Sequence, residues 1–393
     1  MISVGEAREL VLALAPAPTA ETVPLQHAAG RALLEPAIAR LTQPPFDSAA
    51  MDGYALRSAD VDVPLKIVGE SAAGHPWHGE AAPGTAIRIF TGAPVPAGFD
   101  RVVMQEHVTR DGDVLTVMDA AGGPHIRARG GDFAEGDVVL RPGRRINAAD
   151  IGLLAAMNVA HISVARRPDV AVLASGDELV RPGQTLREGQ IVSSNDLAIA
   201  AQVAEAGGMP RILPIARDTE DSLRERFAEA AGADLIVTIG GASVGDHDLV
   251  GKVAFELGMQ RSFYRIAMRP GKPLMAGRIG DSAMIGLPGN PVSAMVCAIL
   301  FMQPLIRRMQ GLDASEKLLR ARLACDLPPE GNRQHYLRAV LEDGRDLPLI
   351  RPFGEQDSAR LTLMSRADAL LVRPADDPAR KAEEIVQFVP LPR

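Results

Sequence analysis

The chain has 393 residues, which exceeds one ordinary hydrophobic core and predicts several domains. Its composition, 47% apolar and 23% charged, is ordinary for a globular protein, and a net charge of -7 without a Lys/Arg block argues against a nucleic-acid or membrane-surface protein. The two cysteines, Cys297 and Cys325, are too few for a disulfide framework, so we expect a reducing, cytoplasmic location.

Secretion and membrane insertion are not predicted either. The first residues lack the basic region of a signal peptide. The longest apolar stretch, residues 292–302, is far shorter than the roughly 20 residues that span a bilayer. We therefore expect a soluble protein with neither a membrane nor a nucleic acid as a partner.

The N-terminal part of the chain predicts one helix and then a β domain. Ser3 and Glu6 have the spacing of a capping box, and Pro16 ends the apolar pattern, so residues 4–15 are predicted to be helical. Short alternating runs separated by Gly and Pro follow, and Asp111-Gly112 between two of them predicts a hairpin turn. Residues 46–139 are therefore predicted to form a small all-β domain.

From residue 169 onward, strand and helix patterns alternate. The predicted strands are 170–175, 211–216, 234–239 and 283–287, and the predicted helices are 195–205, 222–231, 249–257 and one that begins at Pro291. Such alternation predicts a mostly parallel sheet with helices on both faces, here over residues 169–311.

The remaining segments complete a multidomain α/β plus β architecture. Residues 312–393 return to a period of two between Pro-rich turns, which predicts a C-terminal β-barrel. Residues 1–45 and 140–168 fit neither β region, and we expect them to pair as one elongated, discontinuous domain that links the others and supports dimerisation.

Polar and glycine-rich segments follow three strands of the predicted α/β domain. These segments are ASGDEL (174–179), TIGGASVGDHD (238–248) and LPGNPVSA (287–294). Ligands of open α/β sheets bind at the carboxyl ends of the strands, and helix N-termini favour anions. The pattern therefore predicts a phosphate-bearing ligand, although neither a dinucleotide fingerprint nor a P-loop is present.

Four further segments are ambiguous when taken alone. PPFDSAAMDGYALR (44–57) is either a surface loop, the simpler interpretation, or a tight turn that presents Asp52 to a divalent cation. The segments around Thr91 and Asp132 are either rigid turns or anion contacts. FYRIAMRPGKP (263–273) is either an exposed strand face or a cationic clamp for oxyanions.

Taken in order, the motifs FDSAAMDGYA, IFTGAPVPAG, SGDEL, GGASVGD, PGKP and GLPGNPVSA resemble those of the molybdopterin molybdenumtransferases, a family that includes the C-terminal domain of gephyrin. The resemblance runs from the N-terminus into the C-terminal barrel. It implies an elongated homodimer whose active site lies at the subunit interface, where the α/β domain of one chain faces the β domain of the other.

The resemblance also implies a reaction and its participants. Molybdate is inserted into adenylylated molybdopterin, AMP is released, and Mg²⁺ bound by Asp52 and Glu178 offsets the negative charge of the substrates. Transient contacts with the preceding adenylyltransferase and with acceptor molybdoenzymes are expected.

The resemblance carries over to individual positions. The implied catalytic residues are Asp52, Asp132, Glu178, Asp218 and Asp248. The implied substrate-binding residues are Thr91, Gly240, Gly241, Ser243, Arg265, Arg269, Lys272, Pro288, Gly289, Asn290, Arg338 and Ser358. Arg265 stands where the family commonly has Lys, which keeps the charge but changes the donor geometry.

Two other functions compete with this one. A molybdopterin adenylyltransferase would resemble residues 169–310 alone and would leave the FDSAAMDGYA loop and the barrel without a purpose. A gephyrin-like scaffold would use the barrel and the dimer to bind receptor tails, but it would not need the complete set of acidic residues.

Overall fold

The structure of the chain, a computed structural model, describes residues 1–240 and 249–391. Helix α1 (Val4–Leu12) begins with the predicted capping box, because the Ser3 hydroxyl accepts from the Glu6 N–H and the Glu6 carboxylate accepts from the Ser3 N–H. The helix buries its apolar side against the core of the α/β domain, apart from the rest of the 1–45 segment. Two short strands follow, β1 (Ala20–Pro24) and β2 (Ala37–Ile38).

The β domain is a six-stranded sheet with a buried cluster on each face. Its strands are β3 (Ser48–Ala49), β4 (Gly53–Leu56), β5 (Leu65–Ser71), β6 (Thr85–Ile89), β7 (Arg101–Met104), β8 (Val108–Asp111), β9 (Val114–Val117) and β10 (Ile126–Arg127), of which β3 and β10 pair separately from the main sheet. Strand order in the sheet is β7-β4-β6-β5-β9-β8. The predicted hairpin joins β8 to β9, with Asp111 opposite Val114 and Gly112 at a φ of +59°.

The chain then returns to its N-terminal segment. Strand β11 (Val138–Leu140) pairs with β2. Helix α2 (Ala148–Ala156) follows in the chain, and after it β12 (His161–Ala165) pairs antiparallel with β1. Side chains from both segments, such as Leu33 and Leu154, share one buried cluster. This pairing holds together stretches that are more than a hundred residues apart in the sequence.

The α/β domain contains the second six-stranded sheet, in the order β16-β13-β17-β21-β20-β18. Its elements are β13 (Asp169–Ala174), β14 (Leu179–Val180), β15 (Ile191–Val192), α3 (Asn195–Ala206), β16 (Met209–Ile212), α4 (Glu220–Glu229), β17 (Leu235–Ile239), α5 (Leu249–Glu256), β18 (Gln260–Arg265), β19 (Met268–Arg269), β20 (Pro273–Ile279) and β21 (Ser282–Leu287). The neighbours β16, β13, β17 and β21 are parallel, as predicted, while β20 and β18 form an antiparallel edge that the sequence did not predict.

Helices cover both faces of this sheet. One face packs against α1, α3 and the long helical segment made of α6 (Pro291–Cys297), a π-helical turn (Ala298–Met302) and α7 (Gln303–Met309). The other face packs against α4 and α5. The 19-residue segment is long and apolar enough to span a membrane, but 78% of its most apolar window is buried inside the protein, so it serves as the central core helix.

The C-terminal domain is a closed barrel of short strands. Its elements are β22 (Leu319–Leu323), β23 (Gln334–Glu342), β24 (Leu349–Pro352), α8 (Leu361–Arg366), β25 (Ala369–Arg373) and β26 (Ile385–Pro390). Closure comes from the pairing of β23 with both β24 and β25. Strand β19 of the α/β domain adds to β23, with Arg269 beside His335, and thereby joins the two domains.

Candidate active site

The candidate active site is a cleft at the carboxyl ends of the parallel strands. Strands β13, β17 and β21 lie in register, with Ala174 beside Ile239 and Ile239 beside Leu287, so the loops that follow them emerge at one edge. The cleft has a volume of about 940 Å³, and its lining includes the predicted residues Glu178, Asp218, Gly240, Pro288, Gly289 and Asn290. The structure brings these six residues together, while their roles in binding stay predictions.

Two glycines give the cleft wall a backbone that other residues would strain. Gly176 has a φ of +155°, and a Cβ at this position would lie 2.4 Å from a carboxylate oxygen of Glu178. Gly240 has a φ of +87°, and a Cβ there would approach the Ser175 carbonyl oxygen to 3.1 Å. Because both positions require glycine, the wall is bare backbone that a ligand can approach closely.

Two acidic loops form one side of the cleft. Glu178 follows β13 and Asp218 follows β16, and both side chains are exposed to solvent. Asp177 links the loops, because the main-chain N–H groups of Asp177 and Asp218 each donate to the carboxylate of the other at 3.4 Å. Several carboxylates therefore lie near one another, and a cation would relieve their repulsion.

The start of α6 forms the opposite side and is tied to two other elements. The Asn195 side chain donates to the Gly289 carbonyl at 2.7 Å, and the Asn290 side chain donates to the Ser358 hydroxyl at 3.1 Å. The Val292 N–H donates to the Ser358 carbonyl at 3.0 Å. Ser358 therefore ties the start of α6 to the C-terminal domain, whose next residue, Ala359, lines the cleft. The Ser358 carbonyl also uses one of the helix N–H groups that were expected to bind an oxyanion.

Arg338 was predicted to bind substrate directly, and the structure gives it another role. Its side chain is 1% exposed, and its guanidinium donates to the Gln356 side chain at 3.1 Å and to the Asp357 carbonyl at 2.8 Å. A buried guanidinium with these acceptors holds the segment that carries Ser358. Arg338 is thus a positioning residue for the barrel side of the cleft.

Three cations lie on the strand-loop-strand segment from β18 to β20. Arg265 and Arg269 are exposed and Lys272 is half-buried, while the next residue, Pro273, lines the cleft. In residues 1–240 and 249–391, none of the three side chains forms an ion pair or a hydrogen bond with another described residue. Cations beside the cleft are what the clamp hypothesis requires, and the Arg265 guanidinium carbon also lies 5.6 Å from the centroid of the Tyr264 ring.

Asp52 lies elsewhere, on an exposed surface of the β domain, and does not line the cleft. Its Oδ1 accepts hydrogen bonds from both the N–H and the hydroxyl of Thr91, each at 2.8 Å. These bonds hold the pKa of Asp52 below its usual value, with a further small contribution from the nearby Arg88. The Thr91 hydroxyl is therefore directed at the Asp52 carboxylate, and its predicted contact with the substrate stays a prediction.

The other predicted residues lie either away from the cleft or outside the described part of the chain. Asp132 is exposed on the loop after β10, where its N–H donates to the Gln43 carbonyl, and it does not line the cleft. Gly241, Ser243 and Asp248 lie outside the described residues.

Ser175 and Asn195 are polar cleft residues that the sequence did not single out as site residues. Ser175 is 7% exposed, and its hydroxyl has no hydrogen-bond partner among the residues that the structure describes. Asn195 stands at the first position of α3 and also lines the cleft. Ser175 belongs to the SGDEL motif and could have been included on that ground, whereas the bond from Asn195 to Gly289 depends on tertiary contact.

The donor chemistry of the cleft suits Mg²⁺. In proteins Mg²⁺ is commonly held by one or two carboxylates together with substrate phosphates, and Glu178 and Asp218 supply carboxylates beside a cleft of suitable size. Within residues 1–240 and 249–391, no group of three or more acidic, His or Cys side chains forms a metal site on its own. The cleft therefore suits a Mg²⁺ ion that is held jointly by the protein and the substrate, rather than one that is bound by protein ligands alone.

Three protein-family models match successive parts of the chain and indicate the class of protein. A "MoeA N-terminal region (domain I and II)" matches residues 2–158, a "Probable molybdopterin binding domain" matches 171–308, and a "MoeA C-terminal region (domain IV)" matches 320–391. The cleft lies within the second of these regions, apart from its barrel residue. The fold and the site therefore define a protein with a molybdopterin-binding α/β domain.

Similarity over the whole chain narrows the class to a family. The chain is 35% identical over 388 residues to the molybdopterin molybdenumtransferase of Nostoc sp. (strain PCC 7120). The aligned region covers 95% of this chain and 89% of the relative. It is 36% identical to molybdopterin molybdenumtransferase 2 of Mycobacterium tuberculosis, with 96% of each chain covered. A crystal structure of a molybdopterin biosynthesis MoeA protein from Pyrococcus horikoshii superposes with a TM-score of 0.84 at 30% identity over 99% of both chains. This chain belongs to the molybdopterin molybdenumtransferase family.

Proposed function

We propose that this chain inserts molybdenum from molybdate into adenylylated molybdopterin, with release of AMP. The observation that carries the proposal is the cleft, where two acidic loops, a bare glycine wall and a helix start face one space of about 940 Å³. That volume is in the range of sites for small-molecule substrates. Similarity over the whole chain to molybdopterin molybdenumtransferases supports this reaction rather than a simple binding role.

The cleft residues divide the work of binding in this proposal. The backbone at Gly240 and Gly289 approaches the phosphoanhydride closely, since no side chain intervenes. Arg265, Arg269 and Lys272 supply positive charge for molybdate, a dianion that the acidic loops alone would repel. Both sulfur ligands of the metal come from the dithiolene of the substrate, which agrees with a chain whose Cys297 is buried.

Mg²⁺ is the second part of the proposal. Glu178 and Asp218 would hold it on the cleft side, and Asp52 would approach it through Oδ2, to which no described residue donates a hydrogen bond. The ion supplies positive charge that polarises the phosphoanhydride for cleavage. The chain itself contributes the orientation of these carboxylates through the Thr91 bonds and the paired acidic loops.

A homodimer with shared sites is the third part. Asp52 is oriented by two hydrogen bonds yet exposed on a domain that contributes nothing to the cleft of its own chain. Met51, which precedes Asp52 in the chain, is 43% exposed, so a surface that faced Asp52 would also bury this apolar side chain. We infer that the β domain of one chain closes the cleft of its partner.

The reaction also suggests where the protein works and with whom. Its substrate must be delivered by an adenylyltransferase and its product passed to acceptor molybdoenzymes, so we propose transient contacts with both. The two cysteines are unpaired, which supports a reducing, cytoplasmic location.

The decisive experiment is reconstitution with purified protein. Adenylylated molybdopterin, Mg²⁺ and molybdate are supplied, AMP is quantified, and the cofactor formed is assayed by activation of an apo-molybdoenzyme. We expect both products from the wild type and neither from Glu178→Gln. Asp281→Asn is the matched control, since it makes the same carboxylate-to-amide change at an exposed turn between β20 and β21. Failure of the wild type to form active cofactor would rule out the proposed function.

A further inference from the structure

Arg88 makes an unusual set of contacts on the β domain, next to Asp52. It lies on β6 opposite Tyr54 of β4. Its guanidinium donates to the Gly53 carbonyl at 3.0 Å and to the Gln105 side-chain oxygen at 2.6 Å. It also lies over two aromatic rings, with the guanidinium carbon 5.2 Å from the Tyr54 centroid and 4.8 Å from the Phe90 centroid.

Both acceptors of Arg88 are connected to the backbone that follows the Asp52 side chain. Gly53 is the next residue in the chain, and the Gln105 main-chain N–H donates to the Asp52 carbonyl at 3.2 Å. Gly53 itself is confined, since a Cβ there would lie 1.9 Å from the Val103 carbonyl oxygen. The backbone that follows the Asp52 side chain is therefore held by the Arg88 fork, directly at Gly53 and through Gln105 at the Asp52 carbonyl, while Thr91 holds the carboxylate.

The local sheet has main-chain pairing and core contacts besides those that Arg88 makes. Strand β4 is already paired with β6 and β7 through Gly53 to Leu56, and its core contacts come from buried residues such as Ala55 and Ile87. Arg88 is only half-buried, and it forms no ion pair with another described residue. This charged fork lies between two rings, forms no hydrogen bond to a described carboxylate, and has Asp52 as its electrostatic neighbour, a placement that suits a role at Asp52.

We propose that Arg88 is a positioning residue for the reaction. It ties Gly53 to Gln105 and so fixes the backbone that directs the Asp52 carboxylate outward toward the cleft of the partner chain. This inference rests on the proposed function, because it gives Arg88 a purpose only if Asp52 takes part in turnover. Lysine cannot replace it fully, since a single ammonium on a flexible stem does not reproduce a planar fork that reaches two acceptors.

The test is a double-mutant cycle between Arg88 and Asp52. Single-turnover rates of cofactor formation are measured for wild type, Arg88→Met, Asp52→Asn and the double variant. Removing two hydrogen bonds should lower kcat roughly tenfold or more, with KM for adenylylated molybdopterin nearly unchanged. In the Asp52→Asn background the same substitution should cost less than about twofold, because a residue that acts through Asp52 has nothing left to position.

Matched controls separate positioning from folding. Arg101→Met is the control, since Arg101 lies in the same sheet, is also half-buried, and donates to the Ala120 carbonyl far from Asp52. It should leave kcat within about twofold of wild type. If Arg88→Met does not fold, as judged by thermal unfolding, the cycle is run with Arg88→Lys, for which a loss of about threefold and the same non-additivity are expected.

Each result decides the question. Additive losses in the double variant, or an Arg88 variant that folds and turns over like wild type while Asp52→Asn does not, would overturn the role of Arg88. Full activity of Asp52→Asn would overturn the proposed role of Asp52, and with it the role of Arg88. This outcome differs from the two above, in which Asp52 is needed for turnover and only the role of Arg88 fails.

Discussion

The chain presents its carboxylates in two contrasting settings. Glu178 and Asp218 line a cleft of about 940 Å³, on loops that also contain Asp177. Asp52 lies on the exposed surface of the β domain, without a cleft, and is oriented by neutral donors from Thr91. The first setting is a cleft with several carboxylates, whose loops are joined only by two long N–H bonds of 3.4 Å. The second is a carboxylate held by two bonds of 2.8 Å but without a cleft.

The difference teaches that neither setting is complete by itself. The acidic loops need a cation to tolerate anionic substrates, and the oriented Asp52 needs a surface that faces it. The two settings complement each other, and the proposed dimer would bring them together. Five expected outcomes can break or sharpen this comparison, from the largest effect to the smallest.

Removal of divalent cations should have the largest effect, because it disables both settings at once. In excess chelator we expect no AMP or cofactor to form, and added Mg²⁺ should restore both. Turnover that persists in chelator would show that the paired carboxylates serve another purpose, and the comparison would lose its electrostatic basis.

Loss of one charge in either setting should be nearly as severe. Asp52→Asn and Glu178→Gln keep the side-chain volume but remove the charge, so we expect kcat to fall about a hundredfold or more while adenylylated molybdopterin still binds. Equilibrium binding and single-turnover assays measure the two quantities separately.

Mixing these two inactive variants tests whether the settings belong to different chains. In a shared-site dimer, one of the two sites in each mixed dimer regains both carboxylates, so an equimolar mixture after subunit exchange should recover roughly a quarter of wild-type activity. A mixture that stays inactive, or a protein that is monomeric by light scattering at micromolar concentration, would contradict the shared site.

A cation on the edge of the sheet should have a smaller and more specific effect. Arg269→Ala removes an exposed donor that forms no ion pair with a described residue, so we expect a higher molybdate concentration for half-maximal rate and little change in pterin binding. Arg261→Ala is the control, since Arg261 is exposed on the same strand-loop-strand region and contacts Tyr264. An equal rise in both variants would indicate a general loss of charge instead of a molybdate contact.

The smallest effect is expected from the Thr91 hydroxyl. Thr91→Val removes one of the two hydrogen bonds to Asp52 Oδ1 and keeps the main-chain bond, so kcat should fall about fivefold to tenfold. Thr91→Ser keeps the hydroxyl and should stay close to wild type. If the valine variant raised KM for substrate and left kcat unchanged, Thr91 would be a substrate contact after all.

Much of the cleft was predictable, because its residues follow strands whose direction is a local property. Parallel strands bring their carboxyl ends to one edge, so Glu178, Asp218, Gly240 and Asn290 could be placed together before any contact was known. The buried strand around Val172 and the capping box at Ser3 could likewise be predicted from local patterns. Less visible were the antiparallel strands β18 and β20, since charged and aromatic residues interrupt their alternation.

Only the tertiary structure decided the roles of residues whose partners are distant in the chain. Arg338 looked like an anion donor but is buried against Gln356, and Thr91 looked like a phosphate contact but donates to Asp52 across 39 positions. The Arg88 fork has no local signature, since Gly53 and Gln105 meet it only when three strands pair. The sequence by itself determined which residue types end each strand, because periodicity and turn chemistry act over a few residues. Which of those side chains face a ligand and which face one another depends on packing between strands and domains, and that was decided by the folded chain alone.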